Sequence, residues 1–565
     1  MTDLDERNTK NLDYQKLRGG YYTPEIISDF LADWVVRSPN DRILEPSCGD
    51  GALLKAVAEH LLERGTSPDM AARQIYGVEL DPNEAEKAQD TLVRLGLPEG
   101  KINVSAGDFF QHRRKLGGGD LFSGHFSTGQ FDGVIGNPPF IRYQNFPEDG
   151  RTLAFDQMNR AGLNPNGHTN MWVPFLILSS TLLGGKGRLG MVTPAELFQV
   201  KYAAETRKFL ARFFDQLTLI TFRKLVFKGI QQEVILLLGE RGDVEHEGIR
   251  LIEMDRADDL NGYRHDEISS VEVKPLNHSK EKWTQYYLET QEIKILREVE
   301  EKEGIEKSGD VYDVSVGVVT GKNDFFILEQ DEMKEKGLSE ETIDIVTRSG
   351  HLEGAVFHRS DWEDNNDIQR ASKLFKPRDA SLEDLSESAR SYIKEGQEEE
   401  HHTGYKCRVR DRWYIVPSVW VPDAFMLRQV HSYPKLILND AEATCTDTIH
   451  RVKFHDDWEK KRREVTAAFI NSMTFAFAEV RGRSYGGGVL TFEPSEGEDL
   501  PLPLGEADKL NLTEIDRLIR EDRIEEALDM NDRILLEEGL GLSRRKIQAL
   551  RGIWKKLRDR RIERK

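Results

Sequence analysis

The segment Asn137-Pro138-Pro139-Phe140 carries residue types suited to a difficult substitution. An amino group attached to an aromatic base is a weak nucleophile, because its lone pair is delocalised into the ring. The Asn137 side-chain oxygen and the Pro138 main-chain oxygen offer acceptors for both amino hydrogens. Holding them draws the nitrogen towards tetrahedral geometry and frees the lone pair for in-line attack. Consecutive prolines, Pro138 and Pro139, stiffen the loop so that the acceptors are placed before a substrate arrives. Phe140 adds a flat apolar face on which a base can stack. In a duplex such an amine is out of reach, so the base that bears it has to be extruded.

Three earlier segments end apolar runs in the same manner. ILEPSCGDGALLKAV, residues 43–57, reads as a strand, a loop and a helix, with Gly49 and Gly51 allowing close approach of a ligand to the backbone. It lacks the G-x-G-x-x-G of a dinucleotide fold and the G-K-[ST] of a P-loop, so NAD and ATP fall in rank. Alone, this loop is equally well a structural strand-to-helix turn. GVELDP places Glu79 at a carboxyl edge, where a carboxylate accepts hydrogen bonds from both hydroxyls of a ribose. AGDFF brings Asp108 to that edge, suited to an exocyclic amine donor such as adenine N6. Four successive strands that each deliver a polar or glycine residue to one edge are poorly explained by coincidence.

The elements that position these residues alternate. From Arg42 to about Arg241 short apolar runs alternate with helical stretches, which predicts a parallel sheet covered on both faces. Beyond about Gly248 come short strand-like pieces between charged turns, such as VYDVSVGVVTG, DFFIL and RWYIVPSVW. From about Leu510 helical periodicity returns. The expected organisation is a catalytic domain over 1–245, a connecting segment over 246–305, a mixed, strand-rich domain over 306–505 and a helical carboxyl-terminal element over 506–565. The 565 residues allow three or four domains.

Composition narrows the classes. Cys48, Cys407 and Cys445 are odd in number and far apart, so neither a disulfide framework nor a cysteine-based zinc site is expected, and His401, His402 and Cys407 lack a fourth ligand. No metal is expected. No apolar run reaches the roughly 18 residues of a membrane span, and the start lacks a signal-peptide pattern, so a cytoplasmic protein with no membrane partner is expected. The net charge of −20 argues against nonspecific coating of nucleic acid, yet leaves room for a local basic cleft; WKKLRDRRIERK is a basic cluster or a solvated helix end.

The ordered set YYTPEII, ILEPSCGDG, GVELDP, GDF and NPPF resembles the TaqI-type (γ-class) DNA adenine-N6 methyltransferases of restriction-modification systems, over about the first 240 residues. The resemblance implies a Rossmann-like domain that binds S-adenosylmethionine, with a target-recognition domain behind it. It implies that Tyr22, Thr23 and Pro24 cover the methionine part of the cofactor beside Glu45, Pro46, Gly49 and Gly51. Glu79 then binds the ribose, Asp108 with Phe109 the adenine, and Asn137 to Phe140 the target, with Asn137 bordering the cofactor. LVFKGIQQEVILLL resembles the stretch that carries a second aromatic for the target base, which makes Phe227 the candidate, with core packing as the alternative. GVVTGKNDFFIL and RGRSYGGGVLTFEPSE resemble parts of the recognition region. There Lys322 and Asn323, in a turn between two strands, and Arg481, Arg483 and Tyr485 are candidate DNA contacts; a plain hairpin turn is the alternative for the first pair.

The expected activity is methyl transfer to adenine N6 of a flipped base in duplex DNA by a monomer, with a separately encoded endonuclease as a partner of the same system. Cytosine-N4 methylation shares the mechanism, and Asn137, where cytosine-N4 enzymes more often carry Ser, favours adenine by resemblance. A catalytically silent specificity subunit is the alternative of another class. Methyltransferases of release-factor glutamine share the N-P-P-[YF] logic but are much shorter. About twenty residues precede YYTPE, so no amino-terminal nuclease is expected.

Overall fold

The structure, a computed structural model, describes residues 22–113, 116, 130–167, 169–227, 232–242, 244, 247–276, 282–367, 373–485 and 487–563. Two compact units divide the chain between Tyr287 and Leu288.

The first unit is built on an eight-stranded sheet. Its strands are β1 (Ile43–Glu45), β2 (Ile75–Glu79), β3 (Asn103–Ala106), β4 (Phe131–Gly136), β5 (Leu183–Pro194), β6 (Gln216–Phe222), β7 (Val234–Glu240) and β8 (Gly248–Met254). Their order is β3-β2-β1-β4-β5-β7-β6-β8. From β1 the chain steps outwards to β2 and β3, then returns to lay β4 on the other side of β1. That reversal opens a crevice at the carboxyl ends of β1 and β4, where α/β sheets bind ligands. The strands β3 to β5 are parallel as expected, but β7 runs antiparallel to both β5 and β6. No helix lies among the described residues between β6 and β7, and antiparallel neighbours need no helical crossover.

Central strands are buried on both faces, so they read as near-continuous apolar runs; all residues of β6 are buried. The helix Glu25–Val35 presents Ile27, Phe30, Leu31 and Trp34 to the sheet at helical spacing. The Trp34 indole donates to the Leu189 carbonyl at 3.0 Å, and the Arg188 guanidinium lies 4.0 Å from its ring centroid. Beyond residue 245, β8 pairs with β6 through buried Ile249 and Ile252, so residues up to Tyr287 pack with the first unit.

The second unit carries four smaller sheets. The largest orders Tyr312–Val316, Ile449–Phe454, Ala424–Leu427, Leu436–Asn439 and Val356–Phe357. Its final helices, Leu512–Arg520, Ile524–Asn531 and Arg544–Ile562, pack inside the same unit. Trp554 is fully buried beside Phe475, at 5.2 Å between ring centroids. Arg561 donates to both carboxylate oxygens of buried Glu479, at 2.9 and 2.8 Å. The basic ending is therefore a packed helix up to Ile562. Thr290–Glu300, expected in the connector, joins this unit through Glu298, 2.7 Å from Lys546. The TGKND turn does not close a hairpin. Tyr312–Val316 pairs with Ile449–Phe454, Ile327–Leu328 pairs with Lys373–Phe375, and Asn323 opens a helical turn, Asn323–Phe326, between the two sheets. Among the described residues no helix is long and apolar enough to cross a membrane.

Candidate active site

Glu45 ends β1, and the loop behind it turns sharply into the helix Ala52–Glu63. Gly51 stands at φ 86°, and a Cβ there would sit 2.9 Å from the Ala88 Cα, so the turn requires glycine on both counts. Gly49, at φ 49°, has open space where a side chain would be, and its amide donates to Glu79 Oε2 at 2.9 Å. The other Glu79 oxygen accepts from the Asp81 amide at 2.9 Å. One carboxylate thus ties the loops after β1 and β2 together, and burial raises its pKa. Two fixed donors orient the group, and each oxygen keeps lone-pair capacity for a further donor.

Glu45 is only 2% exposed, and its Oε2 has no hydrogen-bond partner among the described residues. Burial, reinforced by the charges of Asp50 and Glu79, pushes its carboxyl well above the usual carboxylate range; the Leu54 amide offsets part of this. A buried carboxylate in that condition is costly unless a cationic or hydrogen-bonding partner arrives. Pro46 is buried next to it.

After β3, Asp108 caps the helical turn Phe109–His112, its Oδ1 accepting from the Phe110 amide at 2.8 Å. Burial again raises its pKa. Oδ2 faces Gly150, where a Cβ would lie 2.5 Å away. Phe109 is 2% exposed, stacked on Phe175 with centroids 5.6 Å apart. Gln157 holds this loop by donating to the Phe110 carbonyl at 2.8 Å, and Arg113 Nη1 donates to Gln157 Oε1 at 3.3 Å. Burial lowers the Arg113 pKa to about 10. Gly150, Gln157 and Arg113 belong to no motif, and sequence reasoning passed over them.

Asn137 follows β4, and its Nδ2 donates to Thr23 Oγ1 at 3.2 Å across 114 positions of sequence. Thr23 is fixed because Pro24 starts the helix Glu25–Val35, its carbonyl accepting from the Ile27 amide at 2.9 Å. Tyr22, half exposed, donates from its hydroxyl to Glu84 Oε2 at 3.3 Å. Pro138 is buried, and Phe140 is half-buried against the apolar core that also contains Phe227. Phe227 is 7% exposed. One carboxyl edge therefore gathers Glu45, Gly49, Glu79, Asp108 and Asn137.

In the second unit, Lys322 lies 3.7 Å from Asp324, and exposed Asn323 is hydrogen-bonded to Thr320. Arg481 donates to Glu300 and to the Asp499 carbonyl, while Arg483 Nε donates to Glu496 Oε1 at 2.7 Å. The Tyr485 side chain lies outside the described residues. His450 and Arg451, which alternate along their strand, are buried and bonded to main-chain carbonyls.

Residues 8–342 match the model of the family described as N-6 DNA Methylase. The chain belongs to this family. Residues 280–536 match a second model, described as the C-terminal domain of the type II methyltransferase M.Eco57I. Among curated relatives of this N6 methylase, M.AccI of Acinetobacter calcoaceticus is 21% identical over 541 residues, 92% of each chain. M.XamI of Xanthomonas campestris pv. amaranthicola is 22% identical over 499 residues, covering 86% of this chain and 85% of its own. The fold is shared with the type IIL restriction-modification enzyme MmeI, solved in complex with DNA: TM-score 0.55 at 9% identity, covering 95% of this chain and 75% of that one.

The methylase uses S-adenosylmethionine, and its edge fits that cofactor. The unpartnered Glu45 oxygen suits an ammonium, the open face at Gly49 admits close approach, and the Glu79 carboxylate suits vicinal hydroxyls.

Proposed function

We propose that this N6 methylase modifies adenine N6 of a base flipped out of duplex DNA, as the modification component of a restriction-modification system. The observation that carries the reading is the Asn137 amide, oriented through Nδ2 on Thr23 Oγ1 at the edge that gathers the cofactor residues. That contact fixes the plane of the amide beside the prolines. S-adenosylmethionine supplies an electrophilic methyl group when bound. Glu45 holds its ammonium, Glu79 its ribose and Asp108 its adenine. Asn137 Oδ1 and the Pro138 carbonyl take the two target amino hydrogens, Phe140 stacks on the base, and Phe227 offers a second face once the core loosens around it. Proline rigidity keeps the acceptors in place before the base arrives, which lowers the reorganisation needed in the transition state.

Residues 306–505 are assigned to target recognition, with Lys322 and Asn323 touching the backbone and Arg481 and Arg483 holding the loop that carries Tyr485. The protein acts as a monomer, beside a separately encoded endonuclease. Long-read mapping of modified bases in DNA from a host that expresses the chain tests the reading. N6-methyladenine at one recurrent site is expected, absent with Asn137→Ala. N4-methylcytosine would replace the adenine assignment, and unmodified DNA would refute the activity. Exchange of 306–505 with a relative's region should change the site.

A further inference from the structure

The first unit holds a second concavity on the opposite side of its sheet. Leu183, where β5 begins, is in register with Phe131, where β4 begins, and Arg241 follows the end of the reversed β7. All lie at the amino edge, separated from Asn137 by the length of β4, about 20 Å at roughly 3.3 Å per residue. A cavity of about 420 Å³ opens there between the end of the helix Glu148–Arg160, the helix Ala204–Phe213 and Arg241.

Its walls combine cations with aromatic rings. Phe209 and Phe213 stack on one another, with centroids 5.1 Å apart and planes 17° apart. Arg241 covers the Phe213 face at 4.3 Å and is fixed there by donating to the Leu183 and Gly184 carbonyls at 3.2 and 3.1 Å. Phe209 remains partly exposed to the cavity. Arg160, Lys208 and Arg212 also line it, and among the described residues the side chains of these three have no ion pair or hydrogen bond. Lys208 and Arg212 stand four positions apart on one helix, a like-charge spacing that weakens a helix unless an anion bridges it. The single carboxylate on the wall, Glu205, has no ion pair among the described residues either.

We propose that this cavity binds a ligand of the mononucleotide class, a phosphate monoester whose flat base packs on Phe209 while Arg160, Lys208 and Arg212 hold the phosphate. Three cations lining one cavity suit a dianion, a partly exposed ring suits a base, and the volume is that of a small-molecule site. The site is distinct from the transfer edge and does not depend on the reading of that edge.

The test is calorimetric titration of the full chain with adenosine 5′-monophosphate, the cofactor site being saturated with S-adenosylhomocysteine. Binding is expected at submillimolar concentration, at least tenfold tighter than adenosine, with inorganic phosphate as a competitor. Lys208→Gln/Arg212→Gln should weaken it at least tenfold, and so should Arg160→Gln on the other helix, each with unchanged methyl transfer and melting temperature. No binding at millimolar nucleotide, equal affinity for adenosine, or full affinity in both folded variants would overturn the proposal.

Discussion

Glu45→Gln separates what the site needs from what the fold prefers. The carboxyl is 2% exposed, Oε2 lacks a partner among the described residues, and Asp50 and Glu79 add repulsion. In the free protein at pH 7 the group is either ionised and poorly solvated or protonated against its intrinsic tendency. Protonation limits the cost to about 3.7 kcal/mol, from roughly 1.36 kcal/mol per pH unit between pH 7 and an unperturbed value near 4.3. Replacement by the neutral amide should recover about 1 to 3.5 kcal/mol within that bound. At about 2 to 4 °C per kcal/mol for a domain of 150–250 residues, the first unit should melt several degrees higher. The sign with pH follows from a folded pKa raised above its unfolded value. The native state holds the proton to higher pH, so the wild-type penalty grows as pH rises from the unfolded value through the folded one. The variant's advantage should vanish at low pH, where both side chains are neutral. S-adenosylmethionine should stabilise the variant less, because a charge-assisted hydrogen bond worth about 1.5 to 3 kcal/mol is lost, ten- to hundredfold in affinity. Differential scanning fluorimetry with and without cofactor, across pH, measures both effects. A variant that melts below wild type without cofactor at pH 7, or gains as much from cofactor as wild type does, would refute the reasoning.

Thr23→Val removes the acceptor that orients the Asn137 amide, a bond worth about 0.5 to 1.5 kcal/mol, so single-turnover methyl transfer at saturating cofactor should slow about 2- to 12-fold, with Thr23→Ser restoring it. Because burial raises the Glu79 pKa, cofactor affinity should fall as pH drops through that raised value; isothermal titration of Glu79→Gln should give weaker binding with a shallower pH dependence, the remainder belonging to Glu45 and Asp108. Arg561→Met strands the buried Glu479 carboxylate, so the second unit should lose about 3 to 5 kcal/mol in denaturant titration, and Glu479→Leu added to it should recover most of the loss.

The residues that gather at the carboxyl edge were legible because a parallel sheet converts chain order into position. Once β1 to β4 are read as parallel, Glu45, Glu79, Asp108 and Asn137 must share one edge wherever they fall in the chain. The link from Asn137 to Thr23 was accessible only through the family resemblance, since nothing in the spacing joins residues 114 positions apart. The strand QLTLITF is hard to read from sequence because it follows a helix directly and its apolar run is short enough to continue that helix. In the second unit the difficulty is charge. Arg481 and Arg483 carry the same signal in sequence whether they meet phosphate or carboxylate, and the carboxylate on Arg481 comes from Glu300, 181 positions away. The helix that ends the chain shows the same ambiguity, with Lys555 on Glu525, Lys556 on Glu292 and Arg561 on Glu479.

Why the transfer edge is left acidic is then a question of what would neutralise it. Burial raises the pKa of Glu45, Asp50, Glu79 and Asp108 together. A fold selected for stability alone would place lysine or arginine among them. Instead the compensation comes from main-chain amides, of Gly49 and Asp81 on Glu79, Ala52 on Asp50 and Phe110 on Asp108. Lys87, which lies near Asp50, is held at 2.7 Å by Glu84 outside the loop. Amides fix the direction of a carboxylate without filling the space in front of it or cancelling its charge. A side-chain cation would do both, and on the proposed assignment it would take the place of the positive charge that the cofactor brings. The raised pKa values at this edge are thus the energetic cost of burying carboxylates with amides rather than cations as partners, the kind of local conflict expected where function overrides stability.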